Sequence, residues 1–69
     1  MERQIVNSTL ATSIDYDSQT STLEIEIKDG AVWQYYDVPE NVYNDMISGS
    51  IGKFFHSNIK GQYAESRIG

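Results

Sequence analysis

Sixty-nine residues with a net charge of −5 and no cysteine describe one small domain without a disulfide framework or a thiolate metal site. That length lies near the lower limit at which a single core offsets the entropy of ordering the chain, so aromatic packing or self-association is expected to help. The charge is uneven: residues 1–48 hold nine acidic and two basic groups, a net of −7, whereas residues 49–69 hold three basic groups and one acidic, a net of +2. This balance gives nucleic-acid binding a weak electrostatic basis and favours an interface with a basic protein or simple solubility.

The opening MERQIVNSTL carries one arginine and no apolar run of signal-peptide length, and nothing downstream is long enough to span a bilayer. The expectation is a cytoplasmic protein with no membrane contact. The sequon Asn7-Ser8-Thr9 is then idle. Residues 1–9 are polar and unpatterned and are expected to fray, leaving 10–69 as a single domain.

LATSIDY alternates Leu10, Thr12, Ile14 and Tyr16 weakly, and TLEIEIK alternates Leu23, Ile25 and Ile27 with polar residues in the manner of a half-buried strand. DSQTS supplies the turn between them. At Asp29-Gly30 the turn type decides which face of AVWQYYDV is buried. A two-residue turn pairs Ile27 with Val32 and buries the Gln34 amide beside Ile25. A three-residue loop, Lys28-Asp29-Gly30 with a left-handed glycine, instead pairs Ile27 with Ala31, Ile25 with Trp33 and Leu23 with Tyr35. Because burying an unpartnered amide costs a few kcal/mol while aromatic burial stabilises, the second register is preferred. It turns Tyr36 outward beside Glu24 and Glu26.

From Pro39 the period becomes helical. Pro39 suits a first helical position, Glu40 the first turn, and Val42, Tyr43, Met46 and Ile47 make one apolar stripe closed by Gly49. Ser50 can cap a second helix carrying Ile51, Phe54, Phe55 and Ile59, ended by Gly61. The outline is α+β, a three-stranded antiparallel β-meander followed by two short helices packed on one face (β-β-β-α-α). Its expected core is Leu23, Ile25, Ile27, Trp33, Tyr35, Val42, Met46, Phe54, Phe55 and Ile59.

Read in order, IDYD at 14–17, LEIEI at 23–27, Gly30, WQYYDVPENVY at 33–43 and SIGKFFHSNIKGQY at 50–63 resemble the KTSC domain family. This small module is met alone in bacterial and phage proteins and at the C-terminus of some lysyl-tRNA synthetases. The family's aromatic-x-aromatic motif is matched by Trp33-Gln34-Tyr35, and its serine-glycine-aromatic-Phe pattern by Ser50, Gly52, Phe54 and Phe55. Three positions depart from the family pattern: Asp15 stands where glycine is frequent, Trp33 replaces a tyrosine and His56 replaces an asparagine. The resemblance implies a module without an established activity, for which the synthetase context suggests RNA binding.

No residue pattern supports catalysis. The single histidine, His56, neighbours Ser57 on one short helix, too close in sequence for a nucleophile and base to face each other. Asp15 and Asp17, like Glu24 and Glu26, are spaced as strand neighbours on a solvent face. A calcium loop from Asp15 lacks its turn glycine at Thr20, and GSIGKFF lacks P-loop spacing, so neither a metal nor a cofactor is expected. Lys53, His56 and Lys60 fall at i, i+3 and i+7 on the second helix, with Arg67 beyond, and form the expected contact surface for an anionic partner. Tyr36 is the remaining exposed aromatic. The expected function is therefore a non-enzymatic binding or adaptor module with an unidentified protein partner. The alternative is an RNA-binding accessory domain using Lys53, His56, Lys60, Arg67 and Tyr36. A weak homodimer through an edge strand is a third expectation.

Overall fold

The computed structural model describes the backbone of residues 3–5 and all of residues 10–69. Five antiparallel strands form one sheet in sequence order: β1 (Arg3–Ile5), β2 (Ala11–Asp17), β3 (Thr22–Ile27), β4 (Val32–Tyr35) and β5 (Glu65–Arg67). Between β4 and β5 lie α1 (Glu40–Ile47), α2 (Ile51–Phe54) and, continuous with α2, a π-helical turn (Phe55–Ile59). The α+β class and the helices after a meander are as the sequence predicts. The central meander β2-β3-β4 is extended on each side by a three-residue strand. Part of the N-terminal segment expected to fray is thus paired as β1, and the rest of it lies outside the described residues.

The hairpin register follows from the turn. Gly30 has φ +99, the Gly30 amide donates to the Ile27 carbonyl at 2.9 Å, and the Ile27 amide donates to the Ala31 carbonyl at 2.9 Å. This three-residue loop sets Ile25 against Trp33 and Leu23 against Tyr35. Asp29 Oδ1 accepts the Ala31 amide at 2.8 Å and fixes the loop from within.

Strand β2 departs from simple alternation. Ala11 pairs with Ile27 and Ser13 with Glu26, so Thr12 is the extra residue of a bulge. The bulge turns Ala11 inward with Ile14 and leaves Thr12 exposed. A strict period of two would have put Leu10 and Thr12 on the inner face instead.

The helices cover the face carrying Ile14, Leu23, Ile25 and Tyr35, and the buried cluster also takes in Val38, Tyr43, Met46, Phe55 and Ile59. Burying aliphatic side chains of this size contributes roughly 1.5–3 kcal/mol each. Ile27, Trp33, Val42 and Phe54, expected in the core, are half-buried and pack on its margin. Ala11, Ile14, Val38 and Tyr43 take the central places.

The strand-to-helix junction is tied to the sheet at Val38. Its amide donates to the Ser21 carbonyl at 2.9 Å, and its carbonyl accepts the Tyr16 hydroxyl. Tyr16 stacks in turn on Tyr43 of α1, with ring centroids 4.7 Å apart and planes 9° from parallel. Asp37, just before the junction, has φ +59, a conformation that aspartate tolerates better than most residues. Pro39 is the N-cap of α1, and its carbonyl accepts the Val42 and Tyr43 amides at 3.0 and 3.2 Å.

Candidate functional site

The five residues singled out in the sequence part company in the fold. His56, Lys60 and Arg67 come together along a groove of about 390 Å³ on the helix side of the sheet. Its floor is apolar, from Leu10, Ile27, Ala31, Trp33, Tyr35 and Phe55, and Asp29 and Glu65 complete its walls.

Two features of the chain build this groove. The first is the π turn. The Lys60 amide donates to the Phe55 carbonyl at 2.9 Å, five residues back, so α-helical spacing ends at Phe55. Phe55 points into the core against Tyr35, edge to face at 5.3 Å, while His56 and Lys60 reach the groove. The His56 ring sits against Phe55 in a T-shaped contact at 5.7 Å. Ile59-Lys60-Gly61-Gln62 then closes as a type II turn: Lys60 is extended, Gly61 has φ +81, and the Gln62 amide donates to the Ile59 carbonyl at 3.0 Å.

The second feature is β5, which pairs Arg67 with Trp33 and Glu65 with Tyr35. Arg67 is thereby set beside the indole, and its Nε donates to the Gly69 carbonyl at 2.9 Å. Asp29 at the β3–β4 loop and Glu65 opposite Tyr35 stand toward the two ends of β4, with Arg67 between them. Burial, and secondarily the Glu65 carboxylate, push the Tyr35 phenol up to about 12.

Lys53 lies elsewhere. It lines a shallow depression with Ser50, Phe54, Ser57 and Asn58, and the Lys53 amide donates to the capping Ser50 Oγ at 3.4 Å. The i, i+3, i+7 stripe is broken because the π turn changes the angular step after Phe55. Tyr36 also stands apart. It follows the outward parity of Gln34, its hydroxyl donates to Gln34 Oε1 at 3.0 Å, and Gln34 Nε2 donates to Glu24 Oε1 at 3.0 Å. Tyr36 thus belongs to a polar network on the sheet's opposite face, where Ser13 Oγ also donates to Glu26 Oε1 at 3.0 Å.

Sequence reasoning assigned Trp33 to the core and overlooked Asp29 and Glu65 as groove residues. Arg67 was named from its charge, but Glu65 carried no signal, since β5 has no apolar alternation. Among the described residues no group of three His, Cys, Asp or Glu side chains could hold a metal ion, and no helix is long and apolar enough to cross a membrane.

Comparison with known proteins places this geometry. The KTSC domain family matches residues 7–63. A crystal structure of a KTSC domain protein from Yersinia pestis superposes with a TM-score of 0.94 at 38% identity, covering 99% of this chain and 97% of the other. An uncharacterized protein of Stutzerimonas stutzeri is 31% identical over 64 residues, 91% of this chain and 90% of its own length. A lysine–tRNA ligase of Trichormus variabilis is 39% identical over 54 residues, 77% of this chain but 10% of that enzyme. The chain thus spans about a tenth of the ligases it matches. With a family match across most of its length and a near-complete structural superposition, the chain belongs to the KTSC domain family.

Proposed function

We propose that this KTSC domain is a non-enzymatic binding module that receives a partner protein in the groove between the π turn and strands β4 and β5. The observation that carries the reading is the convergence of Trp33, His56, Lys60 and Arg67 over an apolar floor in an otherwise acidic chain. Apolar floors with a few convergent polar groups are the usual form of a binding cleft. The non-enzymatic part rests on side-chain placement: His56 lines the groove while Ser57 lines the separate depression, so the two do not form a nucleophile–base pair. A cytoplasmic setting is supported by the cysteine-free composition, which suits a reducing compartment.

The test is affinity capture from the native host with the wild-type domain and with a Lys60→Glu, Arg67→Glu double variant, nuclease being added in parallel. A captured protein that survives nuclease and is lost with the variant is the expected result. Capture unaffected by the variant would refute the groove.

The second reading, an RNA-binding accessory domain, is favoured by the lysine–tRNA ligases that share this region. It predicts nuclease-sensitive capture and steeply salt-dependent retention on a polyanion column. An edge-to-edge homodimer would have to use the outer edge of β1 or β5, because β1 and β5 occupy the free edges of the central meander. Sedimentation at two concentrations tests it, and a monomer at both dismisses it.

A further inference from the structure

The basic side chains of the groove are arranged for a lone carboxylate and badly for a string of phosphates. His56 and Lys60 descend from the π turn, and Arg67 is held opposite Trp33 by the β4–β5 register. Lys60 and Arg67 are exposed, and among the described residues neither is paired with a side-chain carboxylate, although Arg67 Nε donates to a Gly69 oxygen at 2.9 Å. Asp29 and Glu65 stand on the flanking positions along β4, so a polyanion running the length of the groove must pass a carboxylate at each end. A single acidic side chain placed between them meets the basic side chains and escapes most of that repulsion, because opposing charges act strongly only at short range in salt.

Beside those basic side chains lies the half-buried Trp33, with Ile27 and Ala31 next along the floor. A ligand that uses both features carries a carboxylate one or two residues from an apolar side chain. The groove adjoins β5, all three of whose residues are exposed, which leaves room for an extended backbone along the sheet edge. We infer that the groove's occupant is an acidic, extended peptide segment, its carboxylate set against His56, Lys60 and Arg67 and its neighbouring apolar side chain against Trp33. The inference rests on the reading of the groove as a protein-binding surface and names the chemistry of that partner.

Trp33 is the chain's one tryptophan, so its fluorescence reports the groove directly. The probes are an acetylated, amidated hexapeptide of serines carrying one leucine and, two residues on, one aspartate, the same peptide with lysine for aspartate, the same with glycine for leucine, and octauridylate. Titration into the wild-type domain to about 1 mM is expected to give saturable fluorescence and amide-shift changes with the acidic peptide. Both altered peptides should bind about tenfold more weakly, as should the acidic peptide to the Lys60→Glu, Arg67→Glu variant. Both substituted positions are exposed, and the variant's amide spectrum reports whether the fold is kept.

No saturable change with the acidic peptide, equal binding of the lysine peptide, or tighter binding by octauridylate would each overturn the inference. Silence toward the acidic peptide together with groove-dependent capture from the host overturns the peptide chemistry alone. Loss of both overturns the groove as well.

Discussion

Removing one oxygen atom at Tyr16 isolates the bond that joins sheet to helix. Val38 has no exposed surface, and its carbonyl accepts the Tyr16 hydroxyl. The Tyr16→Phe variant keeps the ring and its stack on Tyr43 at 4.7 Å, but leaves that carbonyl without its side-chain donor. An orphaned buried acceptor costs roughly 1–3 kcal/mol. A domain of this size is stable by only some 3–10 kcal/mol, so the loss is a sizeable fraction of the whole. With a urea dependence near 1 kcal/mol per molar for a small chain, the unfolding midpoint should fall by about 1 M or more at unchanged slope, followed through Trp33 fluorescence. Tyr43→Phe is the matched control, since Tyr43 meets Tyr16 through its ring, and it should shift the midpoint by less than half as much. Equal effects of the two variants, or a Tyr16→Phe loss below about 0.5 kcal/mol, would refute the assignment of Val38 as the pinned junction.

The backbone makes its own predictions. Gly30→Ala forces a side chain onto φ +99 and should cost about 1–2 kcal/mol in urea unfolding, although nothing lies within 4 Å of the added methyl group. Asp37→Gly should be neutral or stabilising by up to about 1 kcal/mol, whereas Asp37→Val at φ +59 should lose about 1–2 kcal/mol. In alkali, tyrosine in the unfolded chain ionises at its ordinary value of 10.0 while Tyr35 keeps its proton to about 12. The native state then holds the extra proton, so stability is complete below pH 10 and falls as the pH rises toward 12, by up to about 1.4 kcal/mol per pH unit. Tyr43, also raised, first by burial and then by the Asp15 carboxylate, acts in the same direction. Thermal melts across that range, with phenolate absorbance read alongside, check the prediction, and a flat melting temperature through pH 11 contradicts it.

Much of the fold was legible because the physical preferences agreed with one another. Asp29-Gly30, the alternation of Leu23, Ile25 and Ile27, and the cost of burying Gln34 all pointed to one register, and that register is observed. Ser50 and Gly61 bound the second helix as their side-chain chemistry requires. The central core was less legible. The bulge at Thr12 shifts Ala11 inward, and a bulge leaves no mark on a period-two pattern. Val38 is buried with tertiary bonds to Tyr16 and Ser21, which local spacing does not encode.

The groove was legible only in its parts. His56, Lys60 and Arg67 could be named from charge and spacing, but grouping them with Lys53 assumed an α-helical step through Phe55. A π turn adds one residue to the hydrogen-bonded ring without any sequence token, and here it separates Lys53 from the two residues that follow. Strand β5 was invisible for a different reason. Glu65-Ser66-Arg67 has no apolar alternation, and it is a strand because β4 offers it an unpaired row of backbone donors and acceptors. That same pairing sets Arg67 beside Trp33 in the groove. The position beside β4 is thus taken by the chain's own β5, and the edges of the sheet are those of β1 and β5. If β5 creates the groove, then replacing Ser66 with proline, which removes the β5 amide paired beside Gln34, should abolish peptide binding while leaving the central meander folded. Retained binding in that variant would show that the helical wall alone suffices.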